Sequence, residues 1–127
     1  MFEISVEETF SAAHALRGYR GKCENVHGHN YKVQVTLQGE RLDGAGLLVD
    51  FVEAKQWLRA AVEQLDHRLL NDVPPFDRVN PTAENMARHF YQEIEHALQA
   101  SGHAGRVRLA RVRVWETETA AATYYRP

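Results

Sequence analysis

A single cysteine, Cys23, stands in 127 residues, so no disulfide can form within the chain. That usage suits a reducing cytoplasm and leaves the thiol free to be a ligand, a nucleophile or a proton carrier. No apolar run approaches the ~20 residues of a membrane span. The opening Met1-Phe2-Glu3-Ile4-Ser5-Val6-Glu7-Glu8 has neither a basic stretch nor an unbroken apolar one, so no export signal is expected. Charge of one sign is also lacking. Seventeen acids against fifteen bases give no global attraction for nucleic acid or an anionic membrane. A glycine-rich dinucleotide loop is absent too, so nothing points to a nicotinamide cofactor. The length predicts one domain, residues 1–127, burying ~65% of its unfolded surface.

What is present is a cluster of metal-ligand residue types: His14, Cys23, His27 and His29. His27 and His29 flank Gly28 and lead into the alternating run Asn30–Leu37. Residues i and i+2 of a strand share a face, so the two imidazoles should project side by side. His14 ends another alternating run and needs only to come alongside. Three protein ligands with an open fourth position is the pattern of catalytic rather than structural zinc. A metal-free polar cluster is the bland alternative, but packing alone asks for no His-Gly-His step.

Phe2, Ile4 and Val6, then Phe10, Ala12 and His14, share one parity and predict a long strand or a bent pair. A second strand over 29–38 places Tyr31, Val33, Val35 and Leu37 on its apolar face. Asp43-Gly44 reads as a hairpin turn. Asp50 with Glu53 resembles a capping box opening a helix whose buried stripe is Phe51, Ala54, Leu58, Ala61/Val62 and Leu65, ending near Asp66-His67. Thr82 caps a second helix with Met86, Phe90, Ile94 and Leu98 inward and Ser101-Gly102 at its end. In the last quarter the apolar parity switches between Leu109 and Val112, which predicts a β-bulge near Ala110-Arg111, and 121–125 form a short final strand. The order strand, strand, helix, helix, strand, strand predicts an α+β fold: a four-stranded antiparallel sheet with both helices on one face. Two open sheet edges want covering, which a ring of subunits would supply; a monomer with solvated edges is the alternative.

Several side chains could carry chemistry. Cys23 is either a fourth metal ligand or an acid/base beside a metal-bound substrate. Asp66 and His67 form a carboxylate–imidazole pair suited to proton transfer near neutral pH if a non-helical turn lets them meet, though a histidine at a helix end can serve the dipole alone. Glu116 shares the inward parity of Val112 and Val114. An inward carboxylate needs a partner; a ring N–H plus exocyclic amine, as on a guanine or pterin edge, is one, and a salt bridge is another. Thr82, Glu84 and Asn85 read as a helix start, and His89, His96 and His103 as solvated or cap residues.

The segments Phe10–His14, Cys23–Tyr31, Leu65–Asn71, Asn80–Asn85 and Trp115–Thr117, in this order over the whole chain, resemble the 6-pyruvoyl-tetrahydropterin synthase family, most of all its bacterial 6-carboxy-5,6,7,8-tetrahydropterin synthase branch in queuosine biosynthesis. The resemblance implies a tunnelling fold, with sheets joined into a trimeric barrel, two trimers stacked into a homohexamer, and active sites between subunits. It implies Zn2+ on His14, His27 and His29, a catalytic set of Cys23, Asp66 and His67, and pterin binding by Glu116 with Thr117. The implied reaction converts 7,8-dihydroneopterin triphosphate to 6-carboxytetrahydropterin, acetaldehyde and triphosphate. Lys22, Arg20 and Arg68 are candidates for the triphosphate. The four-residue step from Cys23 to His27 looks like the carboxy-synthase branch, whereas Glu24 beside Cys23 resembles members that cleave dihydroneopterin. A pyruvoyl-forming activity and a non-catalytic zinc-stabilised oligomer are the competing expectations.

Overall fold

Alternation along the first fourteen residues folds as one strand rather than a bent pair. In the computed structural model, which describes residues 1–18 and 25–127, β1 (Phe2–His14) pairs with β2 (His27–Gly39) from Phe2 opposite Gly39 to His14 opposite His27. Then come α1 (Phe51–Glu63), a 3-10 turn (Leu70–Asp72), α2 (Ala83–Ser101), β3 (Arg108–Thr117) and β4 (Ala120–Tyr124). The sheet is antiparallel in the order β1-β2-β3-β4. Arg20, Lys22, Cys23 and Glu24, singled out above, lie outside the described residues.

Both helices cover the apolar face of the sheet. Phe10 stacks on Tyr31 with ring centroids 5.0 Å apart, and Phe90 of α2 meets Phe10 edge-on at 5.8 Å. Leu58 of α1 and Val33, Val112 and Val114 of the sheet are fully buried around them. Each such side chain contributes roughly 1.5–3 kcal/mol on burial. The expected bulge is present: Thr36 faces Arg111 but Leu37 faces Leu109, leaving Ala110 as the extra residue. Leu109 and Val112 are both buried in consequence, despite their opposite parity. Asp50 accepts from the Val52 amide and Thr82 from the Asn85 amide, the two expected caps. Gly102 ends α2 in the left-handed region at φ 86°, where a Cβ would be strained.

Four expectations are corrected. Asp43-Gly44 makes no hairpin: Asp43 instead accepts from the Ala45 and Leu47 amides, folding a local turn that delivers buried Leu48 and Val49 to the core. Glu53 does not complete a capping box; both its oxygens lie 3.1 Å from His103 Nε2. His103, expected to be a solvated or cap residue, follows the α2 C-cap with its amide on Ser101 Oγ and is a tertiary partner as well. Phe51, at the exposed start of α1, lies outside the buried stripe. His89 is half-buried between Phe76 and Phe90, and that burial lowers its pKa, with Glu93 opposing.

The other face of the sheet carries polar side chains in rows. Glu3 pairs with Arg111, Glu7 accepts from Gln34, and Lys32 lies over the Trp115 ring at 4.2 Å. Residues 66–69 cover the last part of the β1 edge: the Ala13 amide donates to Arg68 O and the His67 amide to Ser11 O. No described helix is long and apolar enough to cross a membrane.

Candidate metal centre and active site

The β1–β2 register brings His14 directly opposite His27, and His29 follows two residues on along the same face. Directly opposed residues of an antiparallel pair have Cβ atoms about 4.5–5.5 Å apart, so the two strands deliver all three rings to one point without help from a loop. One nitrogen from each ring lies within 4.8 Å of the other two. His14 is fully buried, while His27 and His29 are half-buried.

Hydrogen bonds on the far sides of two rings orient them. His14 Nδ1 donates to Pro81 O at 2.7 Å, with the Tyr31 hydroxyl 3.1 Å away, and His27 Nδ1 donates to Asn25 O at 2.7 Å. Both Nε2 atoms therefore point inward, 3.0 Å apart. A shared proton can bridge two such nitrogens, yet His29 Nε2 is buried with no hydrogen-bond partner among the described residues. A divalent ion serves all three at once, and carbonyl-anchored imidazoles are the usual support for a metal-bound histidine. The residues present fit zinc. Burial holds the His29 pKa below its ordinary value; Glu116 opposes that shift, and charge on His14 and His27 would reinforce it. The same burial, with the Glu116 charge adding, pushes the Tyr31 phenol upward.

Glu116 reaches this point from β3. Its Oε1 lies 3.3 Å from His14 Nε2 and 3.8 Å from His29 Nε2. Pairing between β3 and β4 slips here, with Trp115 opposite Ala121 and Thr117 opposite Ala120, so Glu116 is a second bulge residue. Bulges re-aim side chains at sites. Thr117 beside it is exposed at the end of β3.

Asp66 and His67 meet in the turn after α1, as a non-helical link requires: His67 Nδ1 lies 2.9 Å from Asp66 Oδ1. His67 adopts φ 59°, a left-handed conformation uncommon outside glycine, and its side chain is 82% exposed. The Ser11 amide donates to Asp66 Oδ1 at 3.0 Å and holds its carboxyl below the usual carboxylate range, with His67 adding. The pair is thus fixed to the β1 edge while the imidazole stays free. An open cleft of about 490 Å³ is bounded by His29 on one side and by His67 and Arg68 on the other.

Two asparagines that sequence reasoning left in loops hold the segment after His14. Asn71 accepts from the Ala15 amide at 2.9 Å and donates to Ala15 O at 2.8 Å. Asn80 grips Arg17 in the same way, at 2.8 Å in both directions. Each amide imitates a neighbouring strand, and Asn80 also precedes the Pro81 carbonyl that orients His14. Their partners lie 56 and 63 residues away, beyond any local pattern. Asn71→Ala is expected to cost about 1–3 kcal/mol, read by urea unfolding.

Comparison with known proteins places these features. A family model described as 6-pyruvoyl tetrahydropterin synthase matches residues 3–127. The 6-carboxy-5,6,7,8-tetrahydropterin synthase of Aquifex aeolicus is 31% identical over 122 residues, covering 81% of this chain and 75% of that one. Human 6-pyruvoyl tetrahydrobiopterin synthase is 33% identical over 136 residues, covering 96% and 90%. The structure of Caenorhabditis elegans 6-pyruvoyl tetrahydropterin synthase superposes with a TM-score of 0.86 at 29% identity, over 99% of this chain and 96% of that one.

Proposed function

The chain belongs to the 6-pyruvoyl tetrahydropterin synthase family, and on that premise we propose that it converts 7,8-dihydroneopterin triphosphate to 6-carboxy-5,6,7,8-tetrahydropterin, acetaldehyde and triphosphate, as a zinc-dependent lyase of queuosine biosynthesis. The observation that carries this reading is the convergence of His14, His27 and His29, with His29, whose buried nitrogen has no hydrogen-bond partner among the described residues, on the wall of a cleft that His67 also lines. The name of the Aquifex aeolicus relative supports the carboxy product.

His14, His27 and His29 would hold the zinc, which supplies Lewis-acid polarisation of side-chain oxygens when bound. Asp66, anchored by the Ser11 amide, keeps the His67 imidazole oriented. His67 then moves protons at the substrate side chain, and Cys23 is assigned the proton transfers on the opposite side. Glu116, with Thr117 beside it, is assigned the N–H and amine donors of the pterin ring. Arg68, on the cleft wall, is assigned to the triphosphate with Arg20 and Lys22.

The assembly we propose is a homohexamer, a dimer of trimers with active sites between subunits. The exposure of His67 supports it, as does the β1 edge before Ser11, which makes no backbone hydrogen bond outside the sheet among the described residues. A pyruvoyl product is the second reading, favoured by the human relative. Incubating zinc-loaded protein with 7,8-dihydroneopterin triphosphate and weighing the product decides between them. The carboxy-pterin mass with released acetaldehyde is expected; a pyruvoyl or hydroxymethyl pterin overturns the assignment.

A further inference from the structure

We infer that Glu116 is a displaceable fourth ligand of the ion held by His14, His27 and His29 in the ligand-free protein. The inference rests on the zinc reading above and deepens it. Two donors of one tetrahedral zinc, each about 2.0–2.1 Å from it, stand about 3.3–3.4 Å apart. Glu116 Oε1 lies 3.3 Å from His14 Nε2 and 3.8 Å from His29 Nε2, the same order as the 3.0 Å between His14 and His27. Glu116 comes from a different strand, 102 positions beyond His14, and reaches this spot only because β3 bulges there.

With Nδ1 turned to Pro81 O, His14 presents Nε2 to Glu116, and a cation between the two atoms suits both. The Glu116 side chain is 30% exposed, so it can swing toward solvent, while His14 on the other side is fully enclosed. The carboxylate, more exposed than His14 or His29, is the exchangeable ligand. Once released by an incoming substrate oxygen, it stands beside the ligand, free to take the ring donors assigned to it.

The test uses the whole protein, zinc-loaded and cobalt-substituted, as wild type, Glu116→Gln and Glu116→Ala. Zinc affinity is measured by competition with a chromophoric chelator, the coordination sphere by the visible spectrum of the cobalt form, and folding of the metal-free forms by circular dichroism. Wild type should bind one zinc per chain. Both variants should stay folded and bind it about tenfold or more weakly, with altered cobalt bands, and added acetate should move the Glu116→Ala spectrum back toward wild type. Unchanged affinity and bands in both variants, beside a wild type that binds stoichiometrically, overturn the role of Glu116 and leave the triad standing. A wild type that binds no zinc removes both.

Discussion

Replacing His29 by alanine is expected to abolish stoichiometric zinc binding and to cut turnover at least about a hundredfold, since Lewis-acid catalysis is worth several kcal/mol. The distinctive result lies in stability. In the metal-free protein His29 Nε2 is a buried polar atom with no hydrogen-bond partner among the described residues, which costs about 1–3 kcal/mol. Metal-free His29→Ala should therefore melt no lower than metal-free wild type. Wild type should gain stability on adding zinc, as any ligand of the folded state confers, and the variant should not. A thermal shift series with and without zinc reads both effects. A histidine that merely packed would give the opposite pattern: a lower melting point in the metal-free variant and no zinc response in either protein.

Asp66→Asn is expected to lower turnover by about 10²–10⁴ while leaving zinc content untouched. The substitution is nearly isosteric, and the Asn carbonyl can still accept from the Ser11 amide that anchors this turn. What disappears is the negative charge beside His67 Nδ1. Because the Ser11 amide and His67 hold the Asp66 pKa below the ordinary range, the wild-type carboxylate remains ionised throughout neutral and mildly acidic pH. Folding contributes through this group above its unfolded pKa, and the contribution fades only as the pH falls through the lower folded value. Near neutrality Asp66→Asn therefore also forfeits that contribution, so turnover is compared on protein that circular dichroism shows to be folded. Steady-state rates alongside metal analysis separate the cases: a silent variant would make Asp66 only a clasp on the β1 edge.

How much of this was legible follows from distance along the chain. His27-Gly28-His29 put two imidazoles on one strand face, and the shared parity of His14 with Phe10 put the third on the same side. The parity switch between Leu109 and Val112 foretold the bulge at Ala110, because only an extra residue lets both face inward. Caps at Asp50 and Thr82 were equally local. Asp43-Gly44 misled because its turn chemistry suits a hairpin, while burial of Leu48 and Val49 pulls the chain toward α1 instead. Glu53 as a box residue misled for a related reason: His103, fifty positions on, offered a better partner than the cap's own amide. The inward parity of Glu116 was visible, but its arrival at His14 was not, since that depends on a second bulge and on the strand order. The Asn71 and Asn80 clasps gave no signal, because an asparagine in a loop looks the same whether it grips a distant backbone or faces water.

X-ray absorption at the zinc edge of the purified, ligand-free protein puts the metal centre to its sharpest trial. Three imidazole nitrogens and oxygen at about 2.0–2.1 Å, with no sulfur, are expected for an ion held by His14, His27 and His29 with an exchangeable position. A sulfur scatterer at about 2.3 Å would put Cys23 on the metal as a closed, structural ligand, and fewer than three imidazoles would mean that the triad does not share an ion.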